Sequence, residues 1–282
     1  MIAVLAGLGA ATMFAGALLS SSRSARLIGP FCVLSWVMLV GLVAIAPFVA
    51  SSGRPDGLDL AGVAWLGLAG AGNVGGLLLA YTALRTGKVG VVGPILSTEG
   101  AVAAVISVLA GEGIGLGSAS TLAVVAAGIA LASSRGDGSD SVTRGGVAAV
   151  VLPLAAALCF GSSLYATGRV GADLGIAWAV LPARLIGVLV VAVPLAARGR
   201  LRLTRRALPL VVAGGLFEVM GFAAYAAGAR DDIAVSAVLA SQFAALAAVA
   251  AYFLFHERLS RVQVAGVVAI ACGVAALTAL QA

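Results

Sequence analysis

The sequence predicts an all-α integral membrane protein: ten transmembrane helices in two inverted five-helix repeats. Three observations carry this. First, hydrophobic residues make up 62% of the 282 residues, charged residues only 10%, and mean hydropathy is +1.14. A soluble domain covers its surface with about 25% charged residues, so lipid is the solvent here. Second, apolar runs of the length that crosses a bilayer, about 18 residues or more, recur along the chain without the alternation of a β-barrel. Third, scarce residues recur at a fixed shift of 145. Arg85 and Glu112 return as Arg230 and Glu257, and Gly16, Gly70, Gly76 and Gly128 return as Gly161, Gly215, Gly221 and Gly273. Asn73 maps onto Glu218. An internal repeat in a membrane protein points to a transporter.

The spans fall at roughly 2–19, 28–50, 60–84, 91–110, 116–133, 146–167, 175–197, 208–228, 233–255 and 262–280. Ser20-Ser21-Ser22-Arg23 ends the first, and the Ser51–Gly57 stretch ends the second. Gly93-Pro94 opens the fourth with a kink or a helix start, because proline removes a backbone donor. The stretch from Ser133 to Gly146 is the most polar in the chain. It divides the chain into residues 1–135, a linker at 136–145, and residues 146–282. Five spans per half force the second half to enter from the opposite face, so the halves are inverted. No basic stretch precedes residues 2–19, so a cleaved signal peptide is not expected.

Orientation follows from the basic loops. One face takes Arg23, Arg26, Arg85, Lys88, Arg135, Arg144, the arginines from Arg198 to Arg206, Arg258 and Arg261. The other takes only Arg54, Arg169 and Arg230. The richer face is cytoplasmic, which puts both termini outside. The basic residues are therefore topology determinants, and no nucleic-acid partner is expected. Only Lys88 among the 17 basic residues is lysine, which points to a GC-rich bacterial source and a bacterial inner membrane. Cys32, Cys159 and Cys272 lie in apolar runs as packing residues, not as a disulfide or metal set. No phosphate loop, nucleophile triad or metal-ligand cluster is present, so neither an enzyme nor a cofactor is expected.

Several residues do not belong in lipid. Glu99, Arg184 and Glu218 lie within the fourth, seventh and eighth spans, with Asn73 and Gln242 in the third and ninth. A charge at the bilayer centre costs roughly 2.5–3.5 kcal/mol on insertion scales, so these groups face a cavity or one another. Two readings stand. In one they form a central site, where Arg184 holds an anionic group and Glu99 or Glu218 binds a cationic group or carries a coupling proton. In the other, Arg184 pairs with Glu99 or Glu218 to fix helix register. Ser97 and Thr98 beside Glu99, and Ser241 beside Gln242, place a polar cluster early in the fourth span of each half. These side chains either line the site or bond back to their own helices. Glu112 and Glu257, just past span ends, are gate or interface candidates, and His256 lies beside the latter. Gly72 and Gly76 form a GxxxG packing face. Trp36, Trp65, Trp178, Tyr81, Tyr165, Tyr225 and Tyr252 are belt or cavity residues. Trp65 and Tyr165 read as belt, and Trp178 as either.

Ala83-Leu84-Arg85-Thr86-Gly87, Val91-Val92-Gly93-Pro94 and Gly111-Glu112 resemble the first-repeat signature of the EamA domain. Ala240-Ser241-Gln242 and the run from Glu257 to Gly266 resemble it again, and Pro182-Ala183-Arg184-Leu185 is similar to that repeat's second helix. The second half has Leu239 where the first has Pro94, so a paired proline is missing. The resemblance covers nearly the whole chain and implies the drug/metabolite transporter superfamily, with ten helices and a central cavity. It implies a secondary transporter, an exporter of a small metabolite, amino acid or drug-like molecule, working by alternating access with proton coupling through Glu99 or Glu218. An uptake permease, or a membrane-embedded lipid-handling or assembly subunit, is the alternative. The partners implied are a small-molecule substrate and the lipid bilayer, with the protein a monomer or homodimer. The resemblance implies cytoplasmic termini, opposite to the charge count.

Overall fold

The fold was read from a computed structural model, which describes residues 2–53, 55, 58–86, 89–111 and 148–255 and the single positions 123, 127, 265 and 269. Among the described residues all regular structure is helical. The helices are α1 (Ile2–Ile28), α2 (Pro30–Ser52), α3 (Leu60–Thr86), α4 (Val89–Leu96), α5 (Glu99–Leu109), α6 (Ala148–Asp173), α7 (Ile176–Ala197), α8 (Leu208–Ala229), α9 (Ile233–Ala240) and α10 (Phe243–Phe255). Six of them, α1, α2, α3, α6, α7 and α8, are long and apolar enough to cross a membrane. The expected fifth and tenth spans and the polar linker lie outside the described residues, apart from the single positions.

Two expectations about the spans are corrected. The first span does not end at Ser20, because α1 runs on to Ile28. Its serines do not break the helix. Ser20 donates to the Gly16 carbonyl at 2.8 Å, Ser22 to Leu19 at 3.0 Å and Ser24 to Ser20 at 3.0 Å. Hydroxyls satisfied by their own helix can be buried without loss of the backbone ladder. The helix ends instead at Gly29, whose φ of 83° is left-handed, ahead of Pro30 at the start of α2.

The fourth and ninth spans are not continuous helices either. The fourth divides into α4 and α5 at Ser97–Thr98, and the ninth into α9 and α10 at Ser241–Gln242. At each break one amide takes a shorter turn: Thr98 donates to Ile95 at 3.2 Å and Gln242 to Leu239 at 3.1 Å. The Val238 carbonyl accepts from Ser241 Oγ at 2.7 Å and Gln242 Nε2 at 2.8 Å. Polar side chains at the break thus meet carbonyls that hydrocarbon leaves unsatisfied. Broken helices within a membrane are tolerated where they are buried in protein or line a cavity.

Displaced by 145 residues, α1 to α5 overlay α6 to α10 in turn. The packing follows the same correspondence. Helix α1 runs antiparallel along α8, with Ala3 near Gly228, Phe14 on Gly221 and Gly16 on Phe217. Helix α3 runs antiparallel along α6, with Gly76 on Phe160 and Ser163 donating to the Ala69 carbonyl at 2.6 Å. A Cβ at Gly221 would come within 2.5 Å of the Phe14 ring, and one at its counterpart Gly76 within 2.6 Å of the Phe160 ring. Helices α2 and α7 are themselves counterparts and run antiparallel. Met38 lies against Gly187 and Gly41 against Arg184, while Cys32 reaches the Arg200 carbonyl at 3.5 Å. Helix α7 carries a π-helical segment over Gly187–Ala192, one turn after Arg184.

Helix α9 opens with a true cap. Asp232 is extended, with φ −159°, and its carboxylate accepts from the Val235 amide at 2.9 Å. Asp232→Ala is expected to cost about 1 kcal/mol, while Asp232→Asn keeps most of the stability. Melting of the purified protein in detergent checks both.

Candidate functional site

Three buried polar side chains meet where α3, α7 and α8 pass one another at mid-length. Asn73 is central on α3, Glu218 on α8, and Arg184 on α7 ahead of the π-helical segment. All three are buried, with Arg184 at 1% exposure, the largest fully buried side chain among the described residues. The Arg184 and Glu218 charges are 4.0 Å apart, too far for a good direct hydrogen bond. Asn73 bridges them. Its amide oxygen accepts from Arg184 Nη1 at 3.3 Å, and its amide nitrogen donates to Glu218 Oε1 at 3.2 Å.

This arrangement decides between the two sequence readings of Arg184 only as geometry. The residue does stand with Glu218, and Asn73 joins the pair. The guanidinium is not used up by it, because Nε and Nη2 have no partner among the described residues. Its carbon lies 5.6 Å from the centre of the Phe222 ring, within cation–π range. Gly41 makes room for the side chain, since a Cβ there would meet Arg184 Cδ at 2.9 Å.

Glu99 stands apart from the triad and faces the same open space as Glu218. It is the first residue of α5, at the break in the fourth span, and is 5% exposed. Both carboxyls line a cavity with about 500 Å³ of empty space, its open mouth included. The remaining wall is apolar and largely aromatic: Phe14, Phe160, Phe222, Phe243 and Tyr81, with Leu18, Leu77, Leu96 and Leu164. Phe14 makes edge-to-face pairs with Phe222 and Phe243, at 5.2 and 6.4 Å between centroids. The Tyr81 hydroxyl accepts from Ser21 Oγ at 3.1 Å.

The other expected residues divide. Thr98, Ser241 and Gln242 bond back to their own helices, Thr98 Oγ1 to the Ile95 carbonyl at 2.8 Å. The Gln242 side-chain oxygen remains buried and unpartnered among the described residues. Ser97 is buried beside Thr98. Gly100 lies against Ser241, so the two helix breaks cross each other. Trp178 is not at the cavity. Its indole donates to the Gly53 carbonyl at 3.0 Å, at an exposed helix end. Tyr165 is buried, packed edge-to-face on Trp65 at 5.7 Å, and so does not face lipid as a belt residue would. Glu112, Glu257, His256 and the Tyr252 side chain lie outside the described residues.

Sequence reasoning missed the four phenylalanines of the cavity wall, because a phenylalanine in an apolar run carries no distinguishing signal. The available signal was indirect. The repeated glycines Gly76 and Gly221 are the seats of Phe160 and Phe14.

Apolar membrane-length helices that bury charges at mid-length define a multi-pass integral membrane protein with a polar centre. Residues 1–134 match the EamA-like transporter family. The match puts an EamA-like domain, the domain of the drug/metabolite transporter superfamily, in residues 1–134. No curated protein matches it. A solved structure described only as "Crystal structure of protein" is similar over 99% of this chain and 96% of its own, at 18% identity and a TM-score of 0.70. At that identity the likeness concerns the fold alone.

Proposed function

We propose that this protein is a secondary transporter of the bacterial inner membrane, exporting a small metabolite, amino acid or drug-like molecule by alternating access. It is built of ten transmembrane helices in two inverted five-helix repeats, residues 1–135 and 146–282, joined by the linker at 136–145. The antiparallel packing of α2 on its counterpart α7 supports the inversion. The observation that carries the transport reading is the hydrogen bond between Asn73 and Glu218. These residues are separated by 145 positions, the repeat shift itself. A residue that touches its own counterpart lies on the axis relating the halves. A rocking motion of the halves therefore acts directly on the Asn73–Glu218–Arg184 contacts.

Proton coupling runs through Glu99 or Glu218, the two carboxyls on the cavity wall. The test is transport into sealed vesicles under an imposed pH gradient, with a substrate drawn from a thermal-shift screen. Glu99→Gln or Glu218→Gln is expected to abolish the dependence on the gradient. If both variants transport at the normal rate and still follow the gradient, the carboxyls have no coupling role. The sidedness of the same assay reads direction, and accumulation on the cytoplasmic side would make the protein an uptake permease.

A further inference from the structure

The loop between α7 and α8 is the most basic stretch of the chain, with Arg198, Arg200, Arg202, Arg205 and Arg206, yet its backbone is tied down along its length. We infer that the segment from Arg198 to Arg206 is a preformed binding site for the headgroup of an anionic phospholipid in the leaflet beside it. The inference goes beyond the transport reading and does not depend on it.

Four sets of bonds hold the segment. Gly199, with φ 63°, stops α7: its amide donates to the Ala196 carbonyl and the Arg200 amide to the Leu195 carbonyl, both at 2.9 Å, the paired bonds of a glycine helix stop. Cys32 on α2 grips the next stretch, its thiol donating to the Arg200 carbonyl and its sulfur accepting from the Arg202 amide, each at 3.5 Å. The Trp36 indole donates to the Arg202 carbonyl at 3.0 Å. Thr204 closes the segment ahead of α8, its hydroxyl oxygen accepting from the Ala207 amide at 3.2 Å. Helix α2 begins at Pro30, so Cys32 and Trp36 lie about 3 and 9 Å along its axis at 1.5 Å per residue. The segment therefore runs beside the first turns of an apolar, membrane-length helix rather than out into water. Topology requires only positive charge on the correct side; it does not require these bonds.

The charge on the segment is unanswered. All five arginines are exposed, and none of their guanidiniums bonds to a carboxylate or carbonyl among the described residues. No acidic residue precedes Asp56, and none lies between Asp173 and Glu218. Helices α1 and α2 and the ends joined by the loop thus bring no counter-charge, and the matching anion comes from outside the chain. A guanidinium fork takes two phosphate oxygens at once, and basic clusters at the end of a membrane span attract anionic lipid. Leu203 and Leu208 stand exposed beside the arginines, as does Phe31 next to Cys32. Acyl chains below a headgroup cover such apolar surface; a free phosphate leaves it bare.

The test is native mass spectrometry of the purified protein, titrated with phosphatidylglycerol, with phosphatidylcholine of the same chains, and with glycerol 3-phosphate. Phosphatidylglycerol is expected to bind at least about tenfold more tightly than phosphatidylcholine, and glycerol 3-phosphate is not retained. The double variant Arg200→Gln/Arg202→Gln should lose most of that preference. Arg169→Gln, which removes an exposed arginine at the opposite end of the helices, leaves it unchanged. Trp36→Phe keeps every charge and removes only the indole donor, so it should weaken phosphatidylglycerol several-fold through lost preorganisation; a loosely held basic loop would show no such effect. Equal affinity for the two lipids overturns the proposal, as does an unchanged preference in Arg200→Gln/Arg202→Gln or in Trp36→Phe. Glycerol 3-phosphate bound as tightly as the lipid overturns it too, since the ligand would then be a soluble phosphate.

Discussion

Arg184→Met lowers the stability of the folded protein by roughly 3–5 kcal/mol, the cost of leaving a buried charge without its partner. Glu218 then keeps only the Asn73 amide, at 3.2 Å, in a position 4% exposed. Glu218→Gln has an effect of the same kind, because it strands the guanidinium. The double variant Arg184→Met/Glu218→Gln recovers most of the loss, since both desolvated charges are gone. This expected effect is several times the average of about 0.6 kcal/mol for a hydrogen bond between membrane helices, so charge, not hydrogen bonding, dominates the triad. Thermal and denaturant melts of the four proteins in one detergent close the cycle. Loss in the double variant equal to the sum of the singles, within about 0.5 kcal/mol, would show that the pair is not coupled. Substrate transport should remain impaired in the double variant even as stability returns.

The second large effect comes from single methyl groups on the helix faces between the halves. A Cβ at Gly70 would lie 2.7 Å from Ile186 Cδ1 and 2.8 Å from the Pro182 carbonyl carbon. A Cβ at its counterpart Gly215 would lie 2.8 Å from Val40 and 2.9 Å from the Val37 carbonyl oxygen. Each clash includes backbone of the facing second helix, which cannot turn aside as a flexible side chain can. Gly70→Ala and Gly215→Ala should therefore each cost about 1–3 kcal/mol as overpacking. Gly67, one turn earlier on α3, has nothing within 4 Å of its added Cβ. Gly67→Ala should stabilise by up to about 1 kcal/mol through helix propensity. Equal melting temperatures for Gly67→Ala and Gly70→Ala would sink the close-packing account.

The paired behaviour of these glycines explains why the recurrence at a shift of 145 was legible. Gly70 and Gly215, like Gly76 and Gly221, meet equivalent surfaces of the opposite half. A symmetric contact requires the same small residue twice, so it leaves a periodic mark in the chain. The polar residues were legible for a different reason: Glu99, Arg184 and Glu218 stand out against an apolar background. What each one touches was not legible. Two pairings of Arg184 were open from sequence, and the structure sets it beside Glu218, with Asn73 between them and Glu99 on the cavity wall. The helix breaks were hidden because Ser97-Thr98 and Ser241-Gln242 look like ordinary polar insertions. The first span was cut short because a run of serines resembles a loop until its hydroxyls are seen bonded to carbonyls one turn back.

The sequence by itself determined that this chain is a membrane protein, roughly where its six long apolar helices run, and that scarce residues recur at a shift of 145. Those properties are sums over local composition and spacing, and they need no knowledge of which helix lies beside which. Only the tertiary structure decided that Asn73 and Glu218 touch, that Arg184 shares their contact, and that phenylalanines from three helices and a broken segment close around Glu99. Those contacts depend on antiparallel helices approaching at their glycines. A few ångströms in that approach decide whether a buried carboxyl meets a guanidinium, an aromatic wall or lipid.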